Sequence, residues 1–277
     1  MGAKIGFQGE HGAYSEEAIF KHFGRDATTV PVVSIHEVFR LTEAGELDLG
    51  VVPIENSVEG SINETYDMLI SSDLSVTGEI ILRVVHCLIS IPSARLSDIK
   101  QVYSHPQALA QCRNFVRSLG ATPVVTYDTA GSAKMIKEKR LKASAAIAGE
   151  QAAKIYGLKV LKRGIEDYST NSTRFLIVSR KGSATRPARG ESKTSLIFSL
   201  AHTPGSLYNA LEAFASAKVN LTKIESRPTK ERPWEYYFIL DFQGDKDDPK
   251  MKKVLAELAK RTAFMKVLGS YPRSKAD

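Results

Sequence analysis

Residues 4–24 read KIGFQGEHGAYSEEAIFKHFG, and this stretch sets the grammar of the first two thirds of the chain. Lys4 to Gln8 has the length of a short strand, and Gly9-Glu10-His11-Gly12 is a turn. The helix that follows carries Ser15, Glu16 and Glu17 in its first turn and stops at Gly24, with acids at the positive end of the helix dipole and glycine at the exit. The turn is glycine-rich like a phosphate loop but lacks the Lys-Ser/Thr ending that a nucleotide requires. It reads as a tight turn bringing backbone amides near a cleft, with Tyr14 and Ser15 just behind it.

The unit then recurs. Ser34 and Glu37 form a capping box ahead of Ile35, Val38, Phe39 and Thr42, and Gly45 ends that helix. Leu47 to Ile54 reads as a buried strand. After the polar loop Glu55-Asn56-Ser57-Val58-Glu59-Gly60, Ser61 and Glu64 make a second capping box, and Ile62, Tyr66, Leu69 and Ile70 share one helical face. Gln101 to Ser104 is a strand, followed by His105-Pro106-Gln107 and one helix with Ala108, Leu109, Cys112, Phe115, Val116 and Leu119 on a stripe that Gly120 closes. Val124 to Tyr127, Ala145 to Ala148 and Thr173 to Ser179 are further strands. Such repetition predicts an α/β domain with largely parallel sheets, whose ligands sit at the carboxyl ends of strands.

Residues 181–193, KGSATRPARGESK, are small, basic and without apolar period, which marks a linker between a region 1–180 and a tail 194–277. The tail has another order: strand Thr194 to Leu200, helix Pro204 to Ser216, strands Val219 to Ser226 and Glu235 to Phe242, helix Pro249 to Thr262, strand Phe264 to Leu268. That is βαββαβ, the ferredoxin-like sandwich. A module so small commonly completes its burial against another copy, so a homodimer or homotetramer through the tail is expected.

The composition is that of a globular protein of 277 residues, 43% hydrophobic and 25% charged, which excludes disordered and fibrous classes. The longest apolar stretch, Ile80 to Ile91, holds Arg83 and His86 and falls short of a membrane span. The segment MGAKIGFQGE does not read as a secretory signal, and Gly6 breaks a myristoylation pattern, so a cytoplasmic location is expected. Cys87 and Cys112 lie far apart and read as buried packing residues. The net charge of +7 favours small anionic ligands over nucleic acid, because Lys and Arg are scattered. The sequons at Asn63, Asn171 and Asn220 read as chance matches.

Several polar loops together resemble prephenate dehydratase followed by an ACT domain. The resemblance covers nearly the whole chain and rests on GxxGxYSxxA at Gly9 to Ala18, PIENSxxGxxxxxYDxL at Pro53 to Leu69, SHPQALAQC at Ser104 to Cys112, NSTRF at Asn171 to Phe175 and NLTKIESRP at Asn220 to Pro228. It implies two α/β subdomains around a cleft, as in periplasmic binding proteins, and a carbon–oxygen lyase converting prephenate to phenylpyruvate in phenylalanine biosynthesis, with L-phenylalanine as feedback inhibitor at the tail. It implies no metal, flavin or nicotinamide, consistent with the lack of GxGxxG, of a P-loop and of a His pair at ligand spacing.

By the same resemblance Thr173 corresponds to the threonine at the departing ring hydroxyl. Alone it would be a β-branched residue beginning a strand; Asn171, Ser172, Arg174 and Phe175 around it make the difference. A hydroxyl is a weak acid, so hydrogen-bond assistance is favoured over full proton transfer unless Glu55 relays a proton. Asn56 and Ser57, and likewise Ser104, His105 and Gln107, precede helices whose positive ends favour a carboxylate, although each also suits a cap or turn. Arg174 suits a substrate carboxylate or a neighbouring acid equally, and Phe175 suits a cleft wall. In the tail, Asn220, Leu221, Glu225, Ser226, Arg227 and Pro228 resemble the phenylalanine-sensing motif. Gly205-Ser206-Leu207-Tyr208 departs from that site's second piece, Gly-Ala-Leu-Val, at Ser206 and Tyr208. The rival readings are arogenate dehydratase, and a non-catalytic amino-acid sensor.

Overall fold

A computed structural model describes residues 2–182, 192–229 and 233–274. The described residues form two compact units, one built from those up to Tyr66 together with Ile80–Leu176, the other from Asp67–Glu79 together with those from Ile177 to Ser274. Among the described residues no helix is long and apolar enough to cross a membrane.

The opening stretch folds as the sequence indicates: strand β1 (Lys4–Gln8), then helix α1 (Tyr14–Phe23), closed by Gly24 at φ +90°. Strand β2 (Thr28–Val32), helix α2 (Ile35–Ala44), strand β3 (Leu49–Asn56), the short strand β4 (Gly60–Ser61), helix α3 (Asn63–Ser71) and strand β5 (Ser75–Arg83) follow. Ser34 caps α2 by accepting from the Glu37 amide at 3.1 Å, an arrangement stabilising by about 1 kcal/mol. The capping box is only half made, because the Glu37 carboxylate turns to Arg40 instead. The second expected box is displaced: Ser61 lies in β4, opposite Glu55, and α3 begins at Asn63.

A second run comprises β6 (Cys87–Ser90), β7 (Gln101–Ser104), α4 (Pro106–Gln111), α5 (Arg113–Ser118), β8 (Thr122–Val125), α6 (Thr129–Lys139), β9 (Ser144–Ala148), α7 (Glu150–Tyr156) and β10 (Lys159–Arg163), before β11 (Ser172–Ser179). The first sheet has the order β2-β1-β3-β11-β5 with β4 beside β3, and the second β10-β6-β9-β7-β8. The chain therefore leaves the first sheet after β5, builds the whole second sheet, and returns with β11. The second sheet is mixed rather than largely parallel: β7 pairs parallel with β8 and β9, whereas β6 pairs antiparallel with β9 and β10.

The single helix expected over 108–119 is two. Asp167 interrupts its ladder: the Asp167 amide donates to the Gln111 carbonyl at 2.7 Å, and the Asn114 amide turns to the Asp167 carboxylate at 3.3 Å. Cys112 sits at the break with φ −116° and ψ 21°. The apolar stripe still packs as one core, with Ala108, Leu109, Cys112 and Val116 against Leu88, Val102 and Ile147. Both cysteines are buried and unbridged.

The βαββαβ order of the tail is present as β12 (Ser192–Ser199), α8 (Ser206–Ser216), β13 (Leu221–Pro228), β14 (Tyr236–Gln243), α9 (Pro249–Ala259) and β15 (Phe264–Pro272). The sheet is antiparallel with the order β13-β14-β12-β15. Of the expected linker, 183–191 lie outside the described residues, and β12 starts at Ser192, two residues before Thr194. One sheet face, with Leu196, Phe198, Leu240 and Phe242, packs on α8 and α9. The other face receives residues 67–79: Lys193 Nζ lies 2.8 Å from Glu79 Oε2, and Lys266 Nζ donates to the carbonyls of Leu69, Ile70 and Ser72 at the end of α3.

Candidate active site

Within the first unit a cavity of about 180 Å³ opens between residues of β1, β3 and β11 and residues of α1, α4 and α6. Its polar lining includes Tyr14, Asn56, His86, Gln107, Gln111 and Thr173. Alternation along β11 decides which residues face it. Thr173 and Phe175 are buried and line the cavity, whereas Arg174 belongs to the opposite face of the strand, where Glu55 stands 3.9 Å away. Among the described lining residues there is no Lys or Arg.

Asn56 ends β3, and its orientation is set by the main chain. Its Oδ1 accepts from the amides of Val58 and Glu59, both at 3.0 Å, so its Nδ2 must point the other way. That amide donates to Thr173 Oγ1 at 3.0 Å and to Asn171 Oδ1 at 2.8 Å. Thr173 thus receives a hydrogen bond on its oxygen, leaving its own hydrogen to donate into the cavity. Asn171 Nδ2 in turn donates to Gln111 Oε1 at 2.9 Å, and the same oxygen lies 2.8 Å from His86 Nε2. His86 Nδ1 is 2.8 Å from the Tyr14 hydroxyl. Burial holds the imidazole below its ordinary pKa and the Tyr14 phenol well above its own, so both are neutral.

Of the residues expected to bind substrate, Asn56, His105, Gln107, Thr173 and Phe175 meet at this cavity, and Glu55, Ser57, Ser104 and Arg174 do not. Ser104 is fully buried and donates to the Ile147 carbonyl at 2.7 Å. Ser57 bonds the main chain at Thr170 and Ser172, locking its loop to the start of β11. His105 caps α4, accepting from the Gln107 amide at 3.3 Å. The glycine turn has its amides spent elsewhere: Gly9 donates to Val32, Glu10 to Asp128 and Gly12 to Glu16. Gly12 is required there, with φ +90° and any Cβ only 2.7 Å from Ala152 Cα. His86, Gln111 and Asn171 are the cavity-network residues that the sequence reading did not place. Gln111 lay inside a quoted motif, but helical periodicity gave it no apolar partner; His86 carried no signal beyond interrupting an apolar run.

The second unit has its own small cavity, about 140 Å³, beside the start of α8, lined by Thr203, Ser206, Leu207, Tyr236 and Phe238. Gly205 precedes α8 at φ +82°, in the left-handed conformation. Ser226 pairs in register with Phe238 and shares its face. Pro228 ends β13, Leu221 packs on the helix-side core, and the Asn220 carbonyl accepts from the Gln243 amide. Glu225 and Arg227 take the other face: Glu225 pairs with Lys223 at 3.1 Å and Arg227 with Asp67 at 2.9 Å.

A cleft-bearing α/β core with a buried, oriented hydroxyl, followed by a ferredoxin-like module with a pocket, defines a two-part α/β enzyme. Residues 5–183 match the family model of prephenate dehydratase and residues 194–260 that of the ACT domain; the chain belongs to the prephenate dehydratase family, a family of carbon–oxygen lyases. It is 40% identical to a bifunctional chorismate mutase/prephenate dehydratase of Stutzerimonas stutzeri, over 98% of this chain and 73% of that one. It is 41% identical to arogenate dehydratase/prephenate dehydratase 2 of Arabidopsis thaliana, over 97% and 72%. Its fold matches, at TM-score 0.89 and 36% identity, the prephenate dehydratase of Arthrobacter aurescens in complex with L-Phe, over 98% and 90% of the two chains.

Proposed function

We propose that the chain converts prephenate to phenylpyruvate and is inhibited by L-phenylalanine at its tail. The reaction breaks the ring-carbon–carboxylate bond, releasing carbon dioxide. That electron pair flows through the ring, and the hydroxyl on the opposite ring carbon leaves and becomes water on gaining a proton. The observation that carries the reading is the Asn56–Thr173 hydrogen bond. Because Thr173 Oγ1 accepts from Asn56, its own hydrogen is left for the oxygen on which negative charge develops, where such a bond is strongest in the transition state.

The electrostatics of the lining support this reading. A cation beside the departing carboxylate would oppose the flow of its electrons into the ring, and among the described residues no Lys or Arg lines the cavity. The substrate's carboxylates are instead held by neutral donors and by the start of α1 at Ala13 to Ser15, since the start of α6 is already capped by the Asp128 carboxylate, which accepts from the Gly131 amide at 3.1 Å. Asn56, His105, Gln107 and Phe175 contact substrate in this assignment. Glu55 and Arg174 act on the far face of the sheet, and Ser57 and Ser104 hold the backbone.

Gly205, Ser206 and Leu207 with Ser226 form the effector pocket of one protomer, completed by a second copy across the exposed β13 edge. Asn220, Leu221 and Pro228 shape the strand that carries Ser226. Residues 1–180 then form the catalytic region, 194–277 the regulatory one, and the enzyme works in the cytoplasm as a homo-oligomer. Arogenate, which carries an amine in place of the keto group, is the second substrate to test, since a relative of equal similarity is named for both. Steady-state formation of phenylpyruvate from prephenate and of phenylalanine from arogenate, each with L-phenylalanine added, tests the proposal. Turnover of prephenate that falls with L-phenylalanine is expected; a folded protein that turns over neither substrate overturns it.

A further inference from the structure

The geometry points to His86 as a positioning residue for the reaction: its ring, protonated at Nε2 and bare at Nδ1, closes the hydrogen-bond chain that orients Thr173. The inference rests on the reaction proposed above. Its warrant is a polarity that runs in one direction from fixed main-chain donors. The amides of Val58 and Glu59 force Asn56 to present Oδ1 to them and Nδ2 to Asn171 and Thr173. Asn171 must then accept with Oδ1, so its Nδ2 faces Gln111 and can only donate. Gln111 must accept with Oε1, and the atom 2.8 Å from that oxygen on its other side is His86 Nε2, which therefore carries a hydrogen.

His86 is only 2% exposed, so no bulk water stands in for that donor. Its backbone amide is tied to Glu166 Oε2 at 3.0 Å, and its Nδ1 lies 2.8 Å from the Tyr14 hydroxyl, which also reaches the Val85 carbonyl at 3.1 Å. The Tyr14 ring packs edge-on at 5.5 Å between centroids, which fixes the plane of the imidazole. Without the Nε2–H, Gln111 Oε1 keeps one donor for two lone pairs, and its amide gains a reason to turn. A turned Gln111 presents NH₂ to the Asn171 NH₂, and the mismatch passes to Asn56 and Thr173. Buried polar chains of this kind are sensitive to one missing member, and small misplacements near a reacting bond are costly.

The test compares His86→Phe, His86→Gln and His86→Asn in the full-length enzyme, with prephenate. Gln can place an N–H where Nε2 stands, Asn reaches only toward the Nδ1 side, and Phe keeps the ring without donors. The expected result is a kcat lowered about 10- to 100-fold in Phe and Asn, with KM within about two-fold, and a kcat largely restored in Gln. Equal kcat in Gln and Asn, or a wild-type kcat in Phe, overturns the inference; if Phe fails to fold, the Gln–Asn comparison still decides. If the unmodified enzyme turns over no prephenate, the function fails rather than the positioning role. That role has a separate readout: ¹⁵N resonances of labelled histidine should show His86 protonated at Nε2, and an Nδ1-protonated ring overturns it whatever the activity.

Discussion

Arg227 Nη2 lies 2.9 Å from Asp67 Oδ1, which ties strand β13 of the ferredoxin-like sheet to helix α3. Arg227 is 9% exposed and Asp67 35%, so the pair is largely shielded. Helix α3 starts seven residues after Asn56, so its position bears on the loop that presents Asn56 to Thr173. Replacing Asp67 by Asn removes the charge and keeps the shape. We expect kcat without effector to stay within about two-fold and the L-phenylalanine concentration for half-inhibition to move about five-fold or more, a coupling of about 1 kcal/mol. An unchanged inhibition curve would show that the pair is structural only.

Thr173→Ala deletes the hydroxyl that Asn56 orients. The loss of one such donor at a charge-developing oxygen lowers kcat about 10²- to 10³-fold. Thr173→Ser, which keeps the hydroxyl, should retain most of it, with KM for prephenate little changed in both. Steady-state kinetics with thermal unfolding as a control reads this directly.

Lys193 and Glu79 form a pair with side chains 9% and 0% exposed, and Glu79 Oε1 also accepts from the Ser274 amide. Removing Lys193 takes away the cation that faces the fully buried Glu79 carboxylate. Lys193→Ala should cost about 3–5 kcal/mol in denaturant unfolding. Lys193→Met together with Glu79→Gln should recover more than half of that, because both buried charges are then removed together.

Burial holds the His86 pKa below the ordinary value of 6.5. As pH falls through about 6.5 the unfolded chain takes up a proton on this ring while the folded chain takes it up only at lower pH. In that window the unfolded state binds more protons, so stability falls with falling pH, and the loss levels off below the folded value. Unfolding midpoints measured from about pH 7.5 down to about pH 5 should drop more steeply in the native sequence than in His86→Gln. Parallel curves would assign the acid sensitivity to other groups, among them His22, whose pKa desolvation also lowers.

What the sequence discloses here follows the range of the forces involved. The βαββαβ tail is legible because each element carries its own period and its own stops, as with Pro249 opening α9. Strands β2 and β10 are not, since Pro31 sits in the first and Lys159, Lys162 and Arg163 fill the second; both are edge strands, held from one side. The break at Cys112 depends on Asp167, far along the chain, and no local pattern announces it. At the site, Thr173 and Asn56 stand in short motifs and are found. The separation of Thr173 from Arg174 is a matter of strand alternation, which follows once β11 is drawn. Gln111 and His86 are joined to Thr173 only through Asn171, a tertiary relationship without sequence spacing.

The Val84 amide donates to the Asn171 carbonyl at 2.9 Å, at the neck where the chain departs toward the second sheet and comes back. Everything between these two residues is thus a closed excursion whose ends nearly touch. Such a segment behaves as a cassette: in gene-level terms it is exchangeable between related scaffolds, or removable with a two- or three-residue turn in its place, leaving the first sheet's strand order intact. The cassette carries His86 and Gln111, the scaffold Asn56 and Thr173, so a swap would transplant one half of the hydrogen-bond chain and leave the other behind.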